Sequence, residues 1–307
     1  MSSFNISSNS LKENCNLSRA ITIVENKLDG YSELLSNIYH LRKNIQKIGI
    51  TGPPGAGKST ITNSLCKDLL KEDQRIAIIS VDPTSPFNGG AILGDRIRMK
   101  DIHDLDNVYI RSLGSRGSAG GLSETIDEII ILLEAAGFDR LIIETVGVGQ
   151  VELDVINFCD TIVLCLTPES GDDIQMMKSG LLECADIISI NKSDRPGSKK
   201  INIFLNQLFD ISQKLRKPPV LNLVALKNKG IDELALEIKN HYLFLKSTNA
   251  EIKRDIERYK KLAFNSIKNN LSNEFLNEKR MSFINKEAKK ENIKRISPFK
   301  IFKKLPK

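Results

Sequence analysis

A nine-residue stretch near the start of the chain constrains its fold more than any other feature. Residues 52–60 read GPPGAGKST and fit the pattern G-x-x-x-x-G-K-[ST]. The stretch follows the apolar run KIGIT and opens a helical pattern, which is the strand–loop–helix context that this phosphate-binding motif requires. Glycines let backbone N–H groups converge on phosphate oxygens, and the helix N-terminus adds a favourable dipole. The predicted phosphate-binding residues of this loop are Gly52, Pro53, Pro54, Gly55, Ala56, Gly57, Lys58, Ser59 and Thr60.

Two side chains of this loop are expected to take part in the chemistry. Lys58 would reach the β- and γ-phosphates of a nucleotide, and the Ser59 hydroxyl would ligate Mg²⁺. Gly147, three residues after Glu144, is expected to offer its backbone N–H to the γ-phosphate. Phosphoryl transfer at such a loop depends on positioning and electrostatic stabilisation, so we expect no covalent intermediate.

Three acidic residues are candidates to complete the magnesium site, since Mg²⁺ prefers oxygen ligands. Asp82 ends the apolar run IISVD, Glu144 ends RLIIE, and Asp95 lies in GGAILGD. We expect a water molecule near Asp82 to attack the γ-phosphate in line, with Lys58 and Glu144 as further catalytic residues. Each acid taken alone also fits a helix cap or a turn, and that alternative is strongest for Asp95.

Short β-branched runs alternate with helical patterns from about residue 48 to residue 245. This alternation predicts an α/β fold of the P-loop nucleotide-hydrolase type, with a mostly parallel sheet between helical layers. Ligands on such sheets bind at the carboxyl ends of the strands, where the motifs above fall. The flanking segments read as helices, so we predict an N-terminal helical extension (1–45), a nucleotide-binding domain (46–247) and a C-terminal helical extension (248–307).

The tetrapeptide NKSD at residues 191–194 follows the apolar run DIISI and identifies the base. The Asp194 carboxylate can accept hydrogen bonds from N1–H and the 2-amino group of guanine, and adenine offers neither donor. Asn191 would contact the base edge or brace neighbouring loops, and the stem of Lys192 would cover the base face. The nucleotide is therefore expected to be GTP or GDP.

Charge and composition narrow the remaining possibilities. The chain carries a net charge of +7, while residues 250–307 alone hold 17 Lys/Arg against 7 Asp/Glu, a net +10. Such a tail can bind nucleic acid or a membrane surface, but with few aromatic residues and no nucleic-acid motif we favour solvated helices. The sequence shows no apolar run of membrane-spanning length and no targeting signal, so we expect a cytoplasmic protein. The cysteines are expected to be reduced thiols, with Cys66, Cys165 and Cys184 in the core.

Several motifs together resemble the MeaB/ArgK family, the bacterial relatives of the human methylmalonic aciduria type A protein. The third motif reads ETVG instead of the DxxG of small signalling GTPases. The resemblance extends from about residue 17 to residue 299. It is carried by LSRAITIVEN, GITGPPGAGKST, VDPTSPFNGGAILGDRIRM, RSLGSRGSAGGLS, ETVGVGQVELDV, GDDIQMMKSGLLECADIISINKSD and the terminal SPF.

This resemblance implies a GTP-hydrolysing chaperone of an adenosylcobalamin-dependent acyl-CoA mutase of the methylmalonyl-CoA mutase type. Such a chaperone gates cofactor loading and protects the mutase. The family also implies a homodimer with C-terminal helices at the interface, and a role for Lys178 in partner-stimulated hydrolysis. Ala225 and Leu226 fall where a Ser-Ala pair helps to hold guanine in the family, so the departure here leaves backbone contacts for that task.

Three other functions compete with this interpretation. An ArgK-type kinase would phosphorylate an amino-acid-binding transport protein, although nothing in the sequence resembles a second substrate pocket. A metallochaperone for nickel enzymes would typically carry a His-rich tract or a Cys/His pair, and the sequence has neither. A nucleic-acid-binding GTPase is suggested by the basic tail alone.

Overall fold

A seven-stranded, fully parallel sheet forms the centre of the fold in a computed structural model. The structure describes residues 8–82, 99–114, 121–145, 157–171, 180–210, 215–290 and 294–306. The strand order is β3-β2-β4-β1-β5-β6-β7. The strands are β1 (Gln46–Thr51), β2 (Ile76–Asp82), β3 (Val108–Gly114), β4 (Arg140–Thr145), β5 (Thr161–Leu166), β6 (Ile187–Ile190) and β7 (Val220–Asn222). The predicted α/β P-loop fold is confirmed.

Helices connect the strands and flank the sheet in sequence. In chain order they are α1 (Ser8–Leu11), α2 (Asn14–Glu25), α3 (Tyr31–Ile38), α4 (Lys58–Leu69), α5 (Lys100–His103), α6 (Gly121–Ala135), α7 (Leu181–Cys184), α8 (Ser198–Asp210), α9 (Ile231–Ser247), α10 (Ala250–Phe275), α11 (Glu278–Ala288) and α12 (Pro298–Ile301). None of the helices in the described ranges combines the length and apolar character that a membrane span requires.

The sheet is buried on both faces, which explains why its strands are almost uniformly apolar. Every residue of β1 and β5 is buried. One apolar cluster joins β1, β4 and β5 to helices α4 and α9, and a second joins β5 and β6 to α8. Because these helices fill the two faces, the carboxyl edge of the sheet is the edge left to hold a ligand.

The strand register brings the predicted acidic residues to that edge. Ile50 of β1 pairs with Glu144 of β4, and Ser80 of β2 pairs with the same glutamate from the other side. Asp82 is therefore two positions further along β2 than the residue that faces Glu144. The sequence placed both acids at strand ends, and the register makes those strands direct neighbours.

The chain folds into two compact units, Met1–Arg254 and Asp255–Lys307. In the first unit, α2 and α3 pack against α6, and the apolar face of α2 is buried. The second unit consists of most of α10 with α11 and α12, and Phe275 stacks on Phe302 within it. The boundaries proposed from sequence, at residues 45 and 247, remain predictions.

The cysteines are free thiols, as expected, but one placement was wrong. Cys66 and Cys165 are buried, and burial raises the pKa of Cys66 to about 12 and that of Cys165 to about 11. Cys184 is exposed, contrary to the expectation from its apolar neighbours. It is the last residue of the short helix α7, whose Leu181 and Leu182 turn inward and leave the end of the helix at the surface.

Candidate nucleotide-binding site

The phosphate loop lies between β1 and α4 and is pressed against β5. Gly52 has a φ of +142°, and a Cβ added there would lie 2.1 Å from the carbonyl oxygen of Cys165. Gly57 has a φ of +87°, and its added Cβ would lie 2.3 Å from Nδ2 of Asn191. Both positions therefore require glycine for space as well as for backbone conformation.

Lys58 begins α4 and is almost completely buried. Its Nζ donates hydrogen bonds to the carbonyl oxygens of Gly52 (2.7 Å) and Pro53 (3.0 Å). The ammonium group is thus held inside the curve of its own loop. A cation in this position can neutralise phosphate oxygens bound by the loop.

Ser59 and Glu144 meet directly at the carboxyl edge of the sheet. The Ser59 hydroxyl donates a hydrogen bond of 2.5 Å to Oε1 of Glu144, whose side chain is buried. Beside this pair, the Thr145 hydroxyl donates to Oγ1 of Thr51 at 3.1 Å and links β4 to β1. A hydroxyl and a carboxylate in contact form a set of oxygen donors that suits Mg²⁺.

Within the described ranges no group of three His, Cys, Asp or Glu side chains could hold a metal ion alone. Mg²⁺ usually keeps waters and uses substrate phosphates alongside one or two protein oxygens. Asp82 is placed by the end of β2. Asp95, Gly147 and Lys178, which the sequence also assigned to the site, lie outside the described residues.

Asn191 connects the phosphate loop to the loop that follows β7. Its backbone N–H donates to the carbonyl oxygen of Leu166 at 2.8 Å, and its buried side chain makes two further bonds. Nδ2 donates to the carbonyl oxygen of Ala56 at 2.9 Å, and Oδ1 accepts from the N–H of Ala225 at 3.1 Å. The sequence predicts that Asn191 either contacts the base edge or braces neighbouring loops. Its contacts in the structure are those of a brace between loops.

Lys192 extends back over the phosphate loop. It has a φ of +57°, and its Nζ donates to the carbonyl oxygen of Gly55 at 2.8 Å. The next residue, Ser193, donates its N–H to the carbonyl oxygen of Leu223 at 3.0 Å. The NKSD loop is therefore attached on one side to the phosphate loop and on the other to the segment after β7.

Asp194 is partly exposed and faces Lys227, a lysine outside the predicted motifs. Nζ of Lys227 lies 3.2 Å from Oδ2 of Asp194, and this hydrogen bond lowers the pKa of the carboxyl group below its ordinary value. Ala225 and Leu226, the other two residues assigned to guanine, precede Lys227 in the chain. Ala225 is buried and Leu226 is 87% exposed.

A second ion pair near the base loop was also missed. Arg195, which follows Asp194, lies 2.8 Å from Oε1 of Glu169 in the turn after β5. This hydrogen bond is the main reason that the pKa of Glu169 falls to about 2. No motif marks either pair, because the partners lie 26 and 33 residues apart and are brought together by strand order.

Comparison with known proteins gives consistent results. The family profile described as Methylmalonyl Co-A mutase-associated GTPase MeaB matches residues 17–280. A Pyrococcus abyssi protein that is named as a GTPase is 48% identical over 232 residues, covering 74% of this chain and 72% of its own. GTPase ArgK of Escherichia coli is 39% identical over 232 residues, which cover 72% of this chain and 70% of the ArgK chain.

One solved structure resembles nearly the whole chain. The crystal structure of an LAO/AO transport system kinase superposes with a TM-score of 0.69 at 27% identity, covering 97% of this chain and 94% of the other. The similarity therefore covers the part of the chain that builds the nucleotide site.

Proposed function

The chain belongs to the MeaB family of methylmalonyl-CoA mutase-associated GTPases, and we propose that it is a chaperone of an adenosylcobalamin-dependent acyl-CoA mutase. Its enzymatic activity is hydrolysis of GTP. In the proposed role, the GTPase cycle gates loading of adenosylcobalamin and protects the mutase from inactivation. The match of the family profile to residues 17–280 carries this proposal.

The proposed phosphate chemistry rests on the contact between Ser59 and Glu144. Mg²⁺ would be held by Ser59 and Glu144, together with Asp82 and Asp95 as further candidates. When bound, Mg²⁺ neutralises charge on the β- and γ-phosphates. Lys58 would bind the same phosphates from inside the loop, and the N–H of Gly147 would contact the γ-phosphate. A water oriented by Asp82 would attack in line.

The proposed base site reads guanine through Asp194. Its carboxylate accepts from N1–H and the 2-amino group, while Lys192 covers the base face. Asn191 holds the phosphate loop and residue 225 at a fixed spacing through its two side-chain bonds. The backbone of Ala225 and Leu226 would complete the pocket.

The partner proposal is tested by complex formation and cofactor loading. We would mix the chain, loaded with GDP or a non-hydrolysable GTP analogue, with the adenosylcobalamin-dependent acyl-CoA mutase of the same organism. Sedimentation would report the complex, and cobalamin absorbance would report loading of the apo-mutase. We expect a complex in both states and loading that differs between them. If no complex forms with either nucleotide, the result contradicts the proposal.

We also propose that the chain is a homodimer and that residues 248–307 form the dimerisation arm. Light scattering should then give about twice the chain mass of 34.3 kDa. A mass equal to that of one chain contradicts the dimer.

A kinase acting on an amino-acid-binding transport protein is the second candidate. The 27% identical transport-system kinase supports it. Incubation with γ-labelled GTP and such a binding protein should label the binding protein if this candidate is right. Release of all label as inorganic phosphate contradicts it.

A further inference from the structure

A lysine outside the sequence motifs lies on the carboxylate that is proposed to read guanine. Nζ of Lys227 is 3.2 Å from Oδ2 of Asp194, and the two side chains are 70% and 46% exposed. Both side chains are therefore partly open to solvent. It joins the loop after β6 to the loop after β7.

The loop that carries Lys227 has a tightly fixed backbone. The N–H of Lys227 donates to the carbonyl oxygen of Val224 at 2.8 Å, and Val224 and Lys229 form an antiparallel bridge. Gly230, with a φ of +78°, passes so close to β7 that an added Cβ would lie 2.7 Å from the carbonyl oxygen of Asn222. Lys227 is thus presented from a rigid turn.

The two loops are also held to each other by backbone contacts. Oδ1 of Asn191 accepts from the N–H of Ala225, and the N–H of Ser193 donates to the carbonyl oxygen of Leu223. These bonds fix the distance between the backbone that carries Asp194 and the backbone that carries Lys227. The ion pair therefore forms between two positioned residues.

A carboxylate has room for both the lysine and a base. Its two oxygens offer about four acceptor sites, and the guanine edge uses one site on each oxygen. Lys227 occupies a further site on Oδ2 and restricts rotation of the carboxylate. The other cations of this region point elsewhere, since Lys192 binds the carbonyl oxygen of Gly55 and Arg195 pairs with Glu169.

We propose that Lys227 is a positioning residue for base recognition, which orients the Asp194 carboxylate so that both of its oxygens accept from guanine. This inference rests on the proposed assignment of Asp194 to the base. Lys227 acts through Asp194 and does not itself touch the reacting phosphates.

Replacement of the lysine should weaken guanine binding without slowing the chemistry. Lys227→Met should raise the dissociation constants of GTP and GDP about two- to fivefold, which is the range that an exposed ion pair can supply. The kcat at saturating GTP should stay the same. Lys227→Arg should retain the wild-type affinity, because it restores a cation at the carboxylate.

Base selectivity distinguishes orientation from a general charge effect. Inosine triphosphate lacks the 2-amino group and uses a single carboxylate oxygen, so it should lose less affinity than GTP. The ratio of GTP to inosine triphosphate affinity should therefore fall in Lys227→Met. Lys229→Met is the matched control, because Lys229 lies two residues away in the same turn and its described contacts are made by its backbone.

The pH profile gives a second readout. Lys227 lowers the pKa of Asp194, with a smaller contribution from the charge of Arg195, so the carboxylate of the wild type stays ionised to lower pH. Protonation of Asp194 removes an acceptor that guanine needs. The affinity for a fluorescent GDP analogue is measured as pH falls from 7 to 4. It should begin to decline at a higher pH in Lys227→Met than in the wild type or in Lys229→Met. Circular dichroism checks that each variant stays folded over this range.

Two outcomes overturn the inference. Unchanged affinity, selectivity and pH profile in Lys227→Met would make the ion pair incidental, and tighter GTP binding would show that the lysine competes with the base. GTP binding by Asp194→Asn shows whether the lysine inference alone is wrong or whether the assignment of Asp194 to guanine is wrong as well. If Asp194→Asn weakens GTP binding and Lys227→Met does not, the lysine inference alone is wrong. If neither variant changes GTP binding, the base assignment itself is wrong.

Discussion

The hydroxyl of Ser59 donates a 2.5 Å hydrogen bond to the buried carboxylate of Glu144. The two residues are 85 positions apart in the chain and lie on the first turn of α4 and at the end of β4. Parallel pairing of β1 with β4 makes this contact, because it places both strand ends at one edge of the sheet. The proposed magnesium site depends on this relationship.

Glu144→Gln should raise the magnesium requirement for hydrolysis. The amide keeps the shape of the side chain but lacks the negative charge that favours a divalent cation, so we expect about a ten- to hundredfold loss in apparent Mg²⁺ affinity. A magnesium titration of the GTPase rate measures this. Glu169→Gln is the control, since that carboxylate pairs with Arg195 and should leave the titration unchanged. Identical titrations for both variants would remove Glu144 from the metal site.

Lys58→Met should remove hydrolysis while the protein stays folded. Methionine replaces the buried aliphatic part of the lysine side chain but provides no cation for the phosphates. Loss of one group that stabilises charge in the transition state typically lowers kcat about 10²–10³-fold. The lost bonds to the carbonyl oxygens of Gly52 and Pro53 are worth about 1.5–3 kcal/mol each, but methionine also removes the cost of keeping an ammonium group buried. Thermal unfolding should therefore shift only modestly. Collapse of the melting transition would mean that Lys58 is mainly structural.

Asp194→Asn should change the base that is preferred. Loss of the charged acceptor should weaken GTP binding by about 2–3 kcal/mol. Xanthosine triphosphate should gain affinity, because its carbonyl in place of the 2-amino group can accept from the new amide. Nucleotide affinities measured by calorimetry check both directions. Equal hydrolysis of ATP and GTP by the wild type would contradict the base assignment.

Gly57→Ala should destabilise the nucleotide-free protein more than Gly55→Ala. Both glycines have positive φ, which costs a non-glycine residue about 1–2 kcal/mol. A Cβ at Gly57 also meets Asn191, whereas one at Gly55 meets nothing within 4 Å. The clash would break the hydrogen bonds of the Asn191 side chain, which should lower the free energy of unfolding by a further amount of about 1–3 kcal/mol. Denaturant unfolding of both variants measures the difference, and equal losses would contradict a role for the brace.

The strands and the phosphate loop were predictable because their signals are local. The β-branched runs KIGIT, IISVD, RLIIE and DIISI correspond to β1, β2, β4 and β6, and the spacing of Gly52, Gly57 and Lys58 specifies a strand–loop–helix turn. A parallel sheet that is buried on both faces requires continuous apolar strands, so such a sheet can be predicted from the apolar runs in the sequence.

The contacts between loops were not predictable, because strand order creates them. Lys192 reaches Gly55 across 137 positions, and Lys227 reaches Asp194 across 33, with no shared motif. Cys184 was misplaced because the end of a four-residue helix offers too little periodicity to assign a face. The positions of Asp95, Gly147 and Lys178 remain predictions, since the structure does not describe these residues.

The proposed chaperone function is tested by the rate of phosphate release from GTP, measured with and without a cobalamin-dependent acyl-CoA mutase of the same organism. A phosphate loop that lacks part of its catalytic set hydrolyses GTP slowly until a partner supplies or orders the missing group. We predict a slow basal rate for the wild type and for Lys178→Ala, and a large mutase-induced increase in the wild type alone. Equal stimulation of both would exclude Lys178, and no stimulation of the wild type would contradict the chaperone function.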